Sequence, residues 1–304
     1  MKTKSYLFGL VGVATLASLF SSELMNGPVI SQVQHQSQFM NRPRRIVAKP
    51  IRVQIVRPVF KFDNKPDVDL RPEIDALGIA IRPSQLSRGT CSVFAMTFLL
   101  EFMYAKNFGL KSQDFSEEYL NLVSNLATGQ TVDGGFFDEI DQGYQKHGIV
   151  NETLVPYKSF FDPNLKVRPA TMKQGAAIAP RLKPHFIKPW DVNTGLTNAQ
   201  LLSVISQLKS GRPVAAGLRW PVQEKFAFEK VLGVPLIKMV QPSEVFDGHS
   251  IDFVGYKVSK HFPGEGYFIF RNSWGTDFGD KGYGYMSFAY AMKYTNDLVQ
   301  YTKP

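Results

Sequence analysis

Cys91 is the only cysteine in the chain, standing where the polar loop Gln85-Leu86-Ser87-Arg88-Gly89-Thr90 gives way to the apolar run 93–105. Phe94, Phe98 and Phe102, and likewise Ala95, Leu99 and Met103, recur at i and i+4, the spacing of a buried helix, with one charge inside the run at Glu101. Thr90 is placed to N-cap that helix, which puts Cys91 in its first turn. There the positive end of the helix dipole and the unpaired backbone N–H groups favour thiolate over thiol. A lone cysteine is more often a small core residue than a nucleophile, so the chemistry depends on what accompanies it. Gly248-His249-Ser250-Ile251-Asp252-Phe253-Val254-Gly255-Tyr256 sets an imidazole at the head of a strand-like run. Phe268-Ile269-Phe270-Arg271-Asn272-Ser273-Trp274-Gly275 then supplies a carboxamide, before the glycine- and aromatic-rich tail 279–285. A thiol, an imidazole and an amide, with Gln85 ahead of the thiol, are the parts of a nucleophile with its base and an orienting group.

These segments, with Gly134-Gly135 between them, resemble the papain family of cysteine peptidases in the family's own order, over about residues 66–290. Val68-Asp69-Leu70-Arg71 is similar to the start of the family's mature domain. The resemblance implies an α+β fold of two lobes, a helical lobe carrying Cys91 and a β-barrel-like lobe carrying His249 and Asn272. It also implies a cysteine-type peptidase, of the endopeptidase kind, acting through a thiolate and an acyl-enzyme intermediate. In such an enzyme His249 takes the Cys91 proton, forming a thiolate–imidazolium pair, and returns it to the leaving amine. Asn272 accepts a hydrogen bond from the far ring nitrogen, and Trp274 shields that bond from water. Gln85 and the Cys91 backbone N–H donate to the developing oxyanion. Gly134 and Gly135 offer backbone groups to an extended substrate. Ala216, Gly217 and Gly248 complete the substrate-binding set, the first two as a small floor of the second subsite that admits a bulky side chain. The chain departs from the family at Thr90 and Ser92, where a small residue often precedes the thiol and a tryptophan often follows it. His249 and Asn272 also lie farther from Cys91 than the roughly 130–150 residues of cathepsin-like chains, which places insertions at 157–195 and 223–245.

With 44% apolar residues in 304, the chain can bury one large core or two lobes sharing a cleft. Its formal charge of +9 invites a polyanion partner, but residues 1–60 hold eight basic side chains against the single Glu23. The body is nearly balanced, so nucleic-acid binding is not expected. Met1-Lys2-Thr3-Lys4 followed by the uncharged run 5–20 reads as a secretory signal at 1–22, too short to span a bilayer. A basic Pro/Arg-rich leader at 23–65, a short pro-segment or a linker, precedes a peptidase domain at 66–304. Export to a periplasmic or extracellular compartment with one cysteine means that packing alone holds the domain, as in bacterial relatives that lack disulfides. No cofactor is expected, and metal hydrolysis is unsupported because no His-Glu-x-x-His or His/Cys ligand cluster occurs. The expected partner is a protein or peptide substrate, and the expected state a monomer.

Helix starts are expected at Ser116, ahead of Glu117 and Glu118, and at Phe136, with a further helix over 196–210. Strands are expected at 213–218, 251–256, 266–271 and 284–288, and 157–195 as a surface connection. His35, His147, His185 and His261 lack a comparable context and read as surface or satisfied histidines. Two other functions fit the same residues: a papain-fold binding or scaffolding protein without turnover, and an acyltransferase of the transamidase type that delivers to an acceptor other than water.

Overall fold

The computed structural model describes residues 65–304, apart from residues 83, 180 and 224–226 and the side chain of Asp247. The expected signal segment and nearly all of the expected leader therefore lie outside the described residues. Helix α1 (Arg71–Ala76) precedes α2 (Cys91–Phe108), α3 (Glu117–Thr128), α4 (Phe137–His147), α5 (Pro169–Ala176), α6 (Asn198–Lys209) and α7 (Phe288–Tyr294). The strands are β1 (Val68–Asp69), β2 (Lys183–Lys188), β3 (Val214–Pro221), β4 (Phe228–Val231), β5 (Val234–Ile237), β6 (Val245–Val258), β7 (Gly266–Arg271), β8 (Tyr283–Ser287) and β9 (Thr295–Thr302). They form one nine-stranded sheet in the order β2-β9-β3-β6-β7-β8-β5-β4, with β1 on β6.

Helix α2 is apolar on every side, and its residues from Cys91 to Ala105 are all buried, as befits a helix enclosed by protein all round. It packs against α3 and α4 on one side and against β3, β6 and β9 on the other. That makes it the hinge between the helical half and the sheet. It ends at Gly109, whose φ of +71° takes the left-handed C-cap that glycine adopts without strain. Ser116 caps α3 as expected, accepting from the Tyr119 N–H. The connection 157–195 is more ordered than its proline content foretold. It contains α5 and β2, and β2 pairs antiparallel with β9 at the end of the sheet. The strand β9 and the hairpin β4–β5 also escaped the sequence reading.

The charge inside α2 is compensated. Glu101, 1% exposed, pairs with Arg82 and accepts the Phe115 N–H at 2.9 Å. Around it lie Glu117, Asp252 and Arg271, lining a cavity of about 20 Å³, room for a single water. Asp252 Oδ1 and Arg271 Nη1 are buried without hydrogen-bond partners there. Burial pushes the Glu101 carboxyl up to about 7, and lifts Glu117 and Asp252 well above the usual carboxylate range. Three carboxyl groups share this site with two guanidinium groups, Arg82 and Arg271.

Candidate active site

The thiol and its helix are placed as the sequence foretold. Cys91 is the first residue of α2, with Thr90 at the N-cap. Thr90, however, does not cap with its side chain. Its Oγ1 instead shares a hydrogen bond of 2.6 Å with the Tyr157 hydroxyl, a tertiary contact that no local pattern announces. Cys91 is 7% exposed, and its S–H donates to the Gly248 carbonyl at 3.4 Å.

His249 is aimed by an irregularity of the sheet. Along the β3–β6 pair, Leu218 faces His249 and Arg219 faces Asp247, so Gly248 is an extra residue. This is a β-bulge, which bends its strand and re-aims the side chains beside it. Gly248 holds φ at +108°, a conformation that favours glycine, with open space where a side chain would begin. The His249 ring then meets Asn272, just past the end of β7, through Nε2 and Oδ1 at 2.9 Å. The same Oδ1 accepts the Ser273 N–H at 2.9 Å, which fixes the amide's orientation. Trp274 stacks on the imidazole with ring centres 4.6 Å apart and planes 25° apart. Trp220 packs edge-on against the same imidazole, also at 4.6 Å, and against Trp274 at 5.5 Å. Trp220 lay unnoticed in the sequence, since a tryptophan in a strand carries no sign of which ring it will cover.

Gln85 is held at both ends of its amide. Its Nε2 donates to the Arg88 carbonyl at 2.8 Å, leaving the second amide hydrogen to spare, and its Oε1 accepts from Ser273 Oγ. The glycine pair divides its work. Gly134 is buried, gives its N–H to Asn121 Oδ1, and packs so closely that a Cβ would lie 2.1 Å from the Gly89 carbonyl oxygen. Gly135 is half-buried, with Glu139 Oε2 3.1 Å from where its Cβ would lie. In β3, Ala216 is fully buried and Gly217 half-buried, with Asp297 Oδ1 sitting where a Gly217 Cβ would be, 2.1 Å away.

The arrangement places a helix-start thiol against the residue that precedes His249 and holds the imidazole in one orientation through Asn272. The profile described as "Papain family cysteine protease" matches residues 66–299, more than three quarters of the chain. The chain belongs to the papain family of cysteine proteases. It is 27% identical over 222 residues to Peptidase 1 of Psoroptes ovis, covering 72% of this chain and 59% of that one. It is 25% identical over 178 residues to Cathepsin B-like CP3 of Giardia intestinalis, covering 57% of this chain and 52% of that protein. The matched region thus spans little more than half of either relative. Among solved structures, xylellain, a cysteine protease from Xylella fastidiosa, shares the fold with a TM-score of 0.62 at 18% identity, over 79% of this chain and 87% of that one.

Within that papain-family frame, one expectation changes. The sequence pointed to a thiolate–imidazolium pair at rest. In the closed cleft, burial raises the Cys91 thiol above its ordinary value, outweighing the hydrogen bonds that Ser250 and the helix-start backbone offer a thiolate. Burial likewise lowers His249 to about 4, against the opposing hydrogen bond that its Nε2 gives to Asn272 Oδ1. Both shifts favour neutral thiol and neutral imidazole, the form in which His249 is ready to accept a proton. Alkylation of Cys91 by iodoacetamide is therefore expected to accelerate steadily from pH 5 to pH 8, followed by mass spectrometry. A rate that stays flat over that range would instead mark a standing ion pair.

Of the other histidines, His185 shares a hydrogen bond with Gln300 at 3.1 Å, and His147 is half-buried. His35 lies outside the described residues.

Proposed function

We propose that this chain is an exported cysteine endopeptidase in which Cys91 attacks the peptide carbonyl, His249 shuttles the proton, Asn272 orients the ring and Gln85 helps hold the oxyanion. The observation that carries this reading is the joint placement of a helix-start thiol against the Gly248 bulge and a His249–Asn272 hydrogen bond roofed by Trp274. As substrate enters, His249 takes the S–H proton and the sulfur bonds to the carbonyl carbon, pushing its electrons onto oxygen. Donors aimed at that oxygen matter most where charge develops, and losing one typically costs roughly 2.7–4 kcal/mol of barrier lowering. The imidazolium then protonates the departing amine, and water releases the acyl group by the reverse sequence.

Endopeptidase action is supported by the open space beside Gly248, whose carbonyl meets the thiol. In this reading Gly134, Gly135, Ala216, Gly217 and Gly248 form the substrate-binding set, with the Asp297 carboxylate beside Gly217. Export is supported by the charged start and uncharged run of residues 1–20. No helix among the described residues is long and apolar enough to cross a membrane.

The test is a library of internally quenched peptides acetylated at one end and amidated at the other. Internal cleavage by the wild type, with bulky residues accepted at the second subsite, is the expected outcome. Blocked peptides left intact while free-ended ones are trimmed would refute endopeptidase action. Acceptance of only small residues there would refute the open second subsite.

A further inference from the structure

Arg88 is the most heavily engaged side chain near the thiol, and nothing in the proton-transfer chemistry uses it. It sits three residues before Cys91 in the loop that carries Gln85, and its side chain is 3% exposed. A buried cation is tolerated only with full compensation, and this one has it. Nε and Nη2 form a fork onto Asp133, at 3.0 Å to Oδ2 and 2.8 Å to Oδ1. Nη1 pairs with Glu118 and donates to the Lys158 carbonyl at 2.8 Å. The guanidinium lies over the Tyr157 ring, 4.5 Å from its centre.

Two of the groups that Arg88 holds, Asp133 and Tyr157, lead back to the site. Asp133 directly precedes Gly134 and Gly135, and its Oδ1 also receives Asn121 Nδ2 at 3.4 Å, the residue that anchors the Gly134 N–H. Tyr157, pinned under the guanidinium, donates to the Gln85 carbonyl at 3.0 Å and shares its hydroxyl with Thr90 at 2.6 Å. The Arg88 carbonyl itself receives the Gln85 side-chain amide. A chain with one cysteine cannot staple this loop to the glycine wall by an internal disulfide. Ion pairs link the loop to that wall, through Arg88 and Asp133.

We propose that Arg88 is a positioning residue for the oxyanion site, holding Gln85 and the Cys91 backbone N–H in line through Tyr157 and registering the Gly134-Gly135 wall through Asp133. This deepens the peptidase reading and rests on it. Lysine at position 88 keeps the charge but cannot fork across two carboxylates. Displacement of groups that stabilise a transition state falls on turnover more than on ground-state binding.

The experiment uses the full-length chain, with Arg88→Lys and Tyr157→Phe beside the wild type, and compares two reactions at Cys91. Hydrolysis of a blocked peptide amide develops an oxyanion; alkylation by iodoacetamide does not. In Arg88→Lys, kcat is expected to fall about tenfold to a hundredfold with KM within about threefold, the signature of lost transition-state stabilisation. The alkylation rate and its pH profile are expected to stay within about twofold of wild type, since the thiol and His249 are not displaced. Tyr157→Phe, which removes only the hydroxyl link, is expected to show the same split in weaker form, and carries the test by itself if the lysine variant does not fold. An active wild type whose kcat is unchanged in both variants overturns the proposal alone. So does a parallel fall of hydrolysis and alkylation, which would mean general loosening. A wild type that alkylates but hydrolyses nothing overturns the peptidase reading, and this proposal with it.

Discussion

Cys91→Ala is expected to lower peptide hydrolysis by at least about 10⁴-fold, the scale on which removing a triad member acts. No other thiol exists to substitute for it, and a methyl group offers no electron pair. His249→Ala is expected to fall nearly as far, because nucleophile and base act as a unit and their losses do not add. Neither loss should be a folding effect for Cys91. The substitution removes one S–H hydrogen bond at 3.4 Å and a single sulfur atom from a buried side chain, so the stability change should be about 1 kcal/mol. Progress curves on one quenched peptide, with a thermal melt of each variant, separate the two explanations. Cleavage by Cys91→Ala at even a hundredth of the wild-type rate would mean that the nucleophile lies elsewhere.

The second large effect is on stability and comes from the buried charges beneath the site. Arg271 is 4% exposed, lies over the Phe98 ring at 4.4 Å, and donates from Nη2 to the Ala80 carbonyl. It is the cation that opposes burial at Asp252 and one of two that do so at Glu101. Arg271→Met keeps most of the volume and removes the charge. Its loss breaks the part-buried hydrogen bond to the Ala80 carbonyl, which typically costs about 1–3 kcal/mol, and Asn272, the next residue, should lose its setting as well. The same cluster sets an unusual pH dependence. Carboxyl groups raised by burial bind protons more tightly in the folded chain than in the unfolded one. Stability from them is complete below the unfolded values near 4.5 and drains away as pH rises toward the folded values, about 7 for Glu101. The melting temperature is therefore expected to be higher near pH 5 than near pH 7.5. A melt that rises steadily over that range would show all three carboxyl groups ionised in the native state.

Much of this was written into the chain in local patterns. The helix period around Cys91, the serine before two acids at Ser116, and the strand-like runs after His249 and before Asn272 each follow from nearest-neighbour preferences, and each element formed close to where those preferences put it. What escaped was set by partners distant in sequence. Thr90 carries the type of a capping residue but spends its hydroxyl on Tyr157. The stretch 157–195 hides a strand because β2 exists only by pairing with β9, and its own alternation is weak. Arg88 was in plain view within the catalytic loop, yet a lone arginine in a polar loop does not reveal that Glu118 and Asp133 will bury it. A glycine ahead of His249 was legible, and only the register of β3 on β6 turns it into the bulge that aims the ring.

The direct test is covalent labelling of the full-length chain with a peptidyl epoxide that alkylates activated thiols, followed by intact mass and peptide mapping. The account predicts one adduct per molecule, on Cys91, with the rate of labelling at least about 100-fold slower in His249→Ala because general-base assistance is worth that much. Equal labelling of wild type and His249→Ala, or no adduct at Cys91 in protein that cleaves peptides, would contradict it.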